Sequence, residues 1–379
     1  MVASNRFFHA GVLATAVIAG SWTGGALAEE RTLSTEYETV TLKRVADGLN
    51  HPWSLAFLPE GGYLVTEREG QLNHISEDGE VTAIEGTPEV SAQNQGGLLD
   101  VVLHPDYEDN GWLYLTYSRE AEGGDTVAAL ARARLGGGEL EDMEELFTQD
   151  RASSPGRHYG SRLAWKADGT LLMSIGDRGT HPERAQATDD HAGTLLRMTE
   201  DGGVPDDNPF VGNDDYLPEI YSYGHRNIQG LIVHPETDEI WATEHGPRGG
   251  DELNLIEAGG NYGWPVAGKG RDYSTEEPFG EVRSHEEMKD PIYEFLPTHA
   301  PSGLALVTAD RFEMWEGNLL AGGLRSERIR RVVLEDHTVI HEEELLLQEI
   351  GRIRDVREGP EGHVYVLNDE SDAGLWRIE

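Results

Sequence analysis

GGYLVTEREGQLNHI, residues 61–75, holds the pattern that decides the fold: a glycine turn, a compact apolar strand, a polar break and a second short strand. The pattern returns as GWLYLTYS from Gly111, GTLLMSIGD from Gly169, DEIWATEHG from Asp238, GNLLAGGLRSERIRRVVL from Gly317 and GHVYVLNDESDAGLWRI from Gly362. Six copies, rich in β-branched and aromatic residues and separated by turns, fit no helical repeat. They read as propeller blades, each a small sheet that needs its neighbours to cover its apolar faces. The expected fold is all-β, a six-bladed β-propeller of four-stranded antiparallel blades with long rim loops.

Working outward, the strand ETVTL at 38–42 belongs to none of the six copies, and the last copy ends at the C-terminus. The two ends are therefore expected to share a blade and close the ring, which removes exposed sheet edges. A blade takes about 40 to 50 residues, and the intervals after Gly169 and Asp238 are longer. The surplus is assigned to loops at 177–218 and 260–300, where apolar periodicity is weak. Long ordered loops on one rim build pockets. Nothing in the composition marks a second domain, so 29–379 is read as one catalytic propeller.

Ahead of it, Arg6, an apolar run over 10–20 and the small residues Ala26-Leu27-Ala28 have the order of a cleavable secretory signal at 1–28. The run is too short to span a bilayer, and no later segment approaches the roughly 20 apolar residues that a span needs. The expectation is a periplasmic or secreted protein without a membrane span. With no cysteine, its stability must come from the core, or from the core with metal, rather than from disulfides.

The formal net charge is −40, and only four lysines stand beside 26 arginines. Such a field disfavours nucleic acid and anionic membranes as partners. Acids spread along the whole chain, rather than gathered in a tail, read as the solvated surface of a halophile.

The densest polar stretch is 221–265, YSYGHRNIQGLIVHPETDEIWATEHGPRGGDELNLIEAGGNYGWP, which looks like a site rather than scaffold. Its EHGPRGGDELN run offers Glu244, Asp251, Glu252 and turn carbonyls at Gly246 and Pro247, hard oxygen donors suited to calcium as much as to a solvated acidic turn. HExxH is absent, so zinc is poorly supported. His158, in the glycine-flanked turn of SSPGRHYGSRLAW, is a base candidate facing the central mouth, against the ordinary alternative of a structural histidine. His225 and His245 face the same alternative. His51, His104 and His234 each precede proline and read as turn formers. Arg352 and Arg354 in GRIRDVR lie two apart on one strand face and can clamp a carboxylate together. They, and RIRRV at 328–332, can equally pair with surplus acids. No GxSxG is present, which makes a serine triad weak.

Taken in order, PWSLAFLPEGGYLVTEREG, NQGGLLDVVLHPDY, RHYGSRL, GHRNIQG, EHGPRGGDELN, NYGWP, APSG and RIRDV resemble the soluble pyrroloquinoline quinone (PQQ)-dependent aldose sugar dehydrogenases, the glucose/sorbosone dehydrogenase family. The resemblance covers about 45–379 and implies PQQ and Ca2+ as cofactors, aldose sugars as substrates and an unidentified electron acceptor. It makes His158 the general base that takes the anomeric hydroxyl proton while hydride passes to the quinone C5, the sugar leaving as lactone. It makes Arg226 a stabiliser of charge at the quinone oxygens, with Asn227, Gln95, Thr298, Arg325, Arg352 and Arg354 as further cofactor contacts. Gly246 and Pro247 match main-chain ligands of the catalytic calcium, and Glu252 with Tyr262 a structural calcium. Arg325 departs from the usual lysine, and its fork differs from an ammonium. Ser161 departs from the usual glycine and is expected to narrow the sugar pocket. The shortened insertion before APSG favours the aldose branch, as a monomer or homodimer. Two other readings stand beside this one: a calcium-dependent sugar lactonase, and a non-catalytic sugar-binding propeller.

Overall fold

In the computed structural model, which describes residues 29–154 and 156–379, the 61–75 stretch forms the middle of a four-stranded sheet. The expected leader at 1–28 lies outside the described residues. The chain begins with β1 (Glu30–Ser34) and β2 (Thr39–Leu49), and then lays down five antiparallel blades. Blade 1 is β3 (Pro52–Phe57), β4 (Tyr63–Glu67), β5 (Leu72–Ile75) and β6 (Val81–Ile84). Blade 2 is β7 (Leu98–Leu103), β8 (Trp112–Glu120), β9 (Thr126–Gly136) and β10 (Glu139–Thr148). Blade 3 is β11 (Leu163–Trp165), β12 (Leu171–Ile175), β13 (Thr194–Met198) and β14 (Ile220–Tyr223). Blade 4 is β15 (Ile228–Val233), β16 (Ile240–Glu244), β17 (Asp251–Ile256) and β18 (Tyr293–Phe295). Blade 5 is β19 (Pro301–Leu306), β20 (Leu319–Gly323), β21 (Arg328–Glu335) and β22 (Thr338–Leu345).

The sixth blade joins the two ends. Its strands β23 (Ile353–Glu358), β24 (Val364–Asn368) and β25 (Ala373–Ile378) come from the C-terminus, and β2 pairs with β25 from Leu42↔Ile378 to Leu49↔Ala373. The shared blade is as expected; β1, added on its outer edge, makes it five-stranded. The innermost strands β3, β7, β11, β15, β19 and β23 contact one another in that cyclic order, β23 meeting β3. That closed ring defines a six-bladed β-propeller.

Blades cohere through side chains that alternate between faces. Ala56, Leu64 and Leu72 of blade 1 pack against Leu98, Val101, Leu113 and Leu115 of blade 2, each large apolar side chain contributing about 1.5 to 3 kcal/mol on full burial. The turn into β4 shows why glycine opens the repeat: Gly62 has φ +83°, and a Cβ there would sit 2.7 Å from the Ile75 carbonyl. The axis is polar instead. Arg162 lies 3.1 Å from Asp355 and 3.5 Å from Asp100, while Arg357 bridges the same acids at 3.0 and 3.2 Å. This buried network ties blades 2, 3 and 6 together.

The long loops fall near where the spacing places them, but each expected stretch contains a strand: β13 lies within 177–218 and β18 within 260–300. In the first, the blade's third strand is inserted between two excursions, 176–193 and 199–219. The second loop, 257–292, separates β17 from β18. No helix among the described residues is long and apolar enough to cross a membrane.

Candidate active site

His158 lies in the crossing between β10 and β11 with φ +51°. Its imidazole Nδ1 is 2.6 Å from Asp177 Oδ1, just beyond β12, and its amide donates to Gln95 Oε1 at 2.8 Å. The other Asp177 oxygen accepts the indole N–H of Trp264 at 2.7 Å, and the Gly179 amide donates to Oδ1. Burial opposes ionisation of Asp177, but the His158 bond, the His158 and Arg226 charges and the Gly179 amide hold it below the usual carboxylate range. Burial pushes His158 the other way: desolvation and the Arg226 charge lower its pKa against the pull of Asp177. A neutral imidazole beside an ionised carboxylate donates from Nδ1, which leaves Nε2 as a proton acceptor. The side chain keeps 12% of its surface exposed. Sequence reading missed Asp177 and Trp264; GD at a strand end and the W of NYGWP carried the signal, but nothing local joins them.

The base sits on a tight floor. A Cβ at Gly176 would lie 2.3 Å from the His158 carbonyl and 2.8 Å from Asn227 Oδ1, so glycine is required by close approach. Asn227 Oδ1 also accepts the Gly160 amide at 3.1 Å. Gln95 and Asn227 thus fix the backbone on either side of the base. Arg226 is anchored by its amide to Glu244 (2.7 Å) and by Nη1 to the His245 carbonyl (3.2 Å), its guanidinium 5.4 Å from the Trp264 ring.

Two cavities meet at His245. The smaller, about 120 Å3, is lined by Gln95, Asn227, Arg352 and Arg354; the larger, about 680 Å3, by Gly246, Thr298 and Arg325. Burial and the Arg226 charge depress His245 to about 4 against the pull of Asp251, so it too is neutral. Arg352 and Arg354 do share a face, and both reach Asp369 Oδ2, at 3.0 and 2.9 Å. His51 binds the other oxygen at 2.8 Å, so it does more than form a turn. Arg354 is buried with its Nε unpartnered. Arg325 is exposed and makes no ion pair among the described residues. The RIRRV arginines behave differently: Arg328, Arg330 and Arg331 pair with Glu344, Glu342 and Glu343 on the adjacent strand.

The acids of the EHGPRGGDELN run serve the backbone. Asp251 accepts the amides of Gly246, His299 and Ala300, and Glu244 accepts from His225, Arg226 and Asn254. Among the described residues, no group of three or more acidic or histidine side chains is arranged to hold a metal. The oxygen-bearing residues that line the larger cavity include Gly246 and Asp251, whose carboxylate is already taken up by amides. Gly246 lines the cavity; the Pro247 carbonyl already accepts the Arg271 amide at 2.7 Å and has one lone pair left. Glu252 and Tyr262 stand apart from both cavities. Burial and neighbouring Glu244 raise Glu252 to about 8, a carboxylate pair that a cation would relieve. The Tyr262 phenol is committed, donating to Leu255 and accepting from the Glu257 amide, so a metal there would meet its main-chain oxygen.

Ser161 corrects an expectation. It does not line either cavity: the side chain is fully buried, and Oγ donates to the Tyr159 carbonyl at 3.2 Å. Its φ of +74° explains why glycine suits the position.

An axial mouth carrying a histidine–aspartate pair and convergent cations on six antiparallel blades defines a propeller of the enzyme kind. The chain belongs to the glucose/sorbosone dehydrogenase family, whose model matches residues 49–377. Aldose sugar dehydrogenase YliI of Escherichia coli (strain K12) is 38% identical over 347 residues, covering 90% of this chain and 93% of the relative. A solved glucose dehydrogenase matches at TM-score 0.86 and 41% identity, over 89% of this chain and 98% of its own. The PQQ-bound aldose sugar dehydrogenase of Streptomyces coelicolor matches at TM-score 0.72 and 28% identity, over 93% and 99%.

Proposed function

We propose that this protein oxidises aldose sugars at the anomeric carbon to the lactone, with PQQ and calcium. The observation that carries the reading is the neutral His158, bound to Asp177 through Nδ1 at 2.6 Å, beside adjoining cavities lined by arginine and amide donors. When bound, PQQ supplies the hydride acceptor and calcium its polarisation as a Lewis acid. The donor set fits an acidic quinone: Arg354 offers a buried unpartnered Nε, and Arg352 and Arg325 flank the cavities. Gln95, Asn227 and Thr298 supply polar contacts around it.

On this reading His158 Nε2 takes the proton of the anomeric hydroxyl. Asp177 holds the ring in its productive tautomer and stabilises the imidazolium that forms. Arg226 offers positive charge to the oxygen where negative charge develops. Trp264 and Gly176 hold the pair in place from beneath. The Gly246 and Pro247 oxygens would hold calcium, and Glu252 with Tyr262 would hold a second ion. Export to the periplasm or medium accords with the leader pattern.

The test is reconstitution of purified apoprotein with PQQ and calcium, followed by dye reduction with glucose and other aldoses. Reduction that needs both additions supports the reading; no reduction at any salt concentration overturns it.

A further inference from the structure

In a chain with 70 acidic and 30 basic residues, a cluster of cations runs against composition. One lies next to the 680 Å3 cavity. A neighbouring cavity of about 410 Å3 shares Arg248, Pro297 and Thr298 with it and is lined further by Lys269, Arg271, Arg283 and the single acid Glu294. Arg248 is spent on Glu276 at 2.7 Å, and Arg283 lies 3.4 Å from Glu294. Lys269 and Arg271 make no ion pair among the described residues, although Lys269 is near enough to Glu252 to oppose its raised pKa. Arg271 Nη1 donates to the Glu276 carbonyl at 2.9 Å, but with so many acids available, two cations without a paired carboxylate at a cavity wall mark a surface that takes an anion from outside.

The segment that carries them is built rather than loose. The Arg271 amide donates to the Pro247 carbonyl at 2.7 Å, fixing it against the Gly246 turn. Asp272 Oδ1 accepts the Ser274 and Thr275 amides, both at 2.8 Å, and Arg248 Nη1 donates to the Tyr273 carbonyl at 3.1 Å. This turn presents Tyr273, 63% exposed, into the larger cavity. An exposed ring with a polar tip is a platform for the C–H face of a sugar.

We propose that 269–283 is the specificity element of the substrate site: Lys269 and Arg271 bind a carboxylate or phosphate that the sugar carries away from its anomeric carbon, while Tyr273 packs on a ring face. The inference rests on the aldose-oxidising reading above and names the class of aldose, acidic rather than neutral. Ammonium and guanidinium both bind such groups, the guanidinium through two parallel bonds.

Kinetics of the PQQ- and calcium-loaded protein with glucose, glucuronate and glucose 6-phosphate test it. The expected result is a KM for one or both acidic sugars lower than that for glucose by on the order of tenfold. That preference is lost in the Lys269→Gln/Arg271→Gln variant, whose glucose kinetics are unchanged. The carboxylate and phosphate arms separate the two ligand sources, and salt weakens the preference. Equal kinetics for all three sugars in both proteins overturn the proposal. So does a variant that loses affinity only for an anionic dye, which would assign the cations to the electron acceptor. Calorimetry of glucuronate and inorganic phosphate against the apoprotein reads the subsite without turnover. If no sugar is oxidised, the enzyme reading fails, while anion binding that the variant abolishes still supports the subsite and absence of binding removes it.

Discussion

His158 is held from one side and open on the other, and that asymmetry gives it a direction of proton transfer. On the proposed reading the base acts when neutral, and its pKa lies below the ordinary histidine value because burial and Arg226 outweigh Asp177. As pH falls, activity is therefore expected to persist below about pH 6.5 and to decline only as the lowered pKa is crossed. The acid limb of a kcat/KM profile checks this. His158→Ala should lower kcat by about 10²- to 10⁴-fold while PQQ still binds, measured by cofactor titration. Loss of PQQ binding instead would assign His158 to the cofactor. Asp177→Asn keeps the shape of the site, but its amide favours the wrong imidazole tautomer. The expected outcome is a lowered kcat with little change in KM.

Between elements, the crossings that bring blade ends together carry strain and charge. Gly176 closes β12 directly under the His158 loop, where an added methyl meets a carbonyl at 2.3 Å. Gly176→Ala should cost on the order of 1 to 3 kcal/mol and also depress kcat, read by thermal unfolding alongside turnover. The 176–193 excursion carries His191, which sits 2.9 Å from Asp150 and 2.6 Å from Glu219. Burial opposes its charge, but both acids outweigh it and raise the pKa to about 9. The folded pKa lies above the unfolded value, so this contribution is fully present below about pH 6.5 and is lost as pH rises through 9. Tm should fall across that window, and His191→Gln should flatten the fall.

At the scale of the molecule, closure and charge set stability. β2 from the N-terminal part lies between β1 and β25, so the ring is sealed by a pairing more than 300 residues apart in sequence. The cyclic contacts of the six inner strands follow from that seal. Charge works against compactness: surplus acids repel one another, and salt screens them over a Debye length of about 10 Å at 0.1 M. Raising salt from about 0.1 M to molar concentrations is expected to raise Tm markedly; a flat response would show an acidic surface without salt dependence. If calcium binds as proposed, it should raise Tm relative to chelator, by mass action on the native state.

The repeats alone determined the blades. Turn glycines and period-two strands are local properties, and residues 61–75 already held the alternation that buries one face and the glycine that Ile75 leaves no room to replace. Sequence also pointed to candidates that the fold brings together: Gln95, Asn227, Arg352 and Arg354 line one cavity, and His158 is bonded to Gln95. Their roles were legible only in part. Several quoted motif residues turn out to hold the axis: Asp100 of NQGGLLD, Arg162 of RHYGSRL and Asp355 of RIRDV form the buried ion network. Tertiary structure decided that His158 leans on Asp177, that Asp369 gathers Arg352, Arg354 and His51, that the acids of EHGPRGGDELN brace amides, and that Ser161 faces inward. The physical reason is distance along the chain. Apart from the bond of Ser161 to Tyr159 and that of Asp251 to the Gly246 amide, those contacts join segments well separated in sequence, and a hydrogen bond or pKa depends on what the fold brings within a few ångströms rather than on what stands next in sequence.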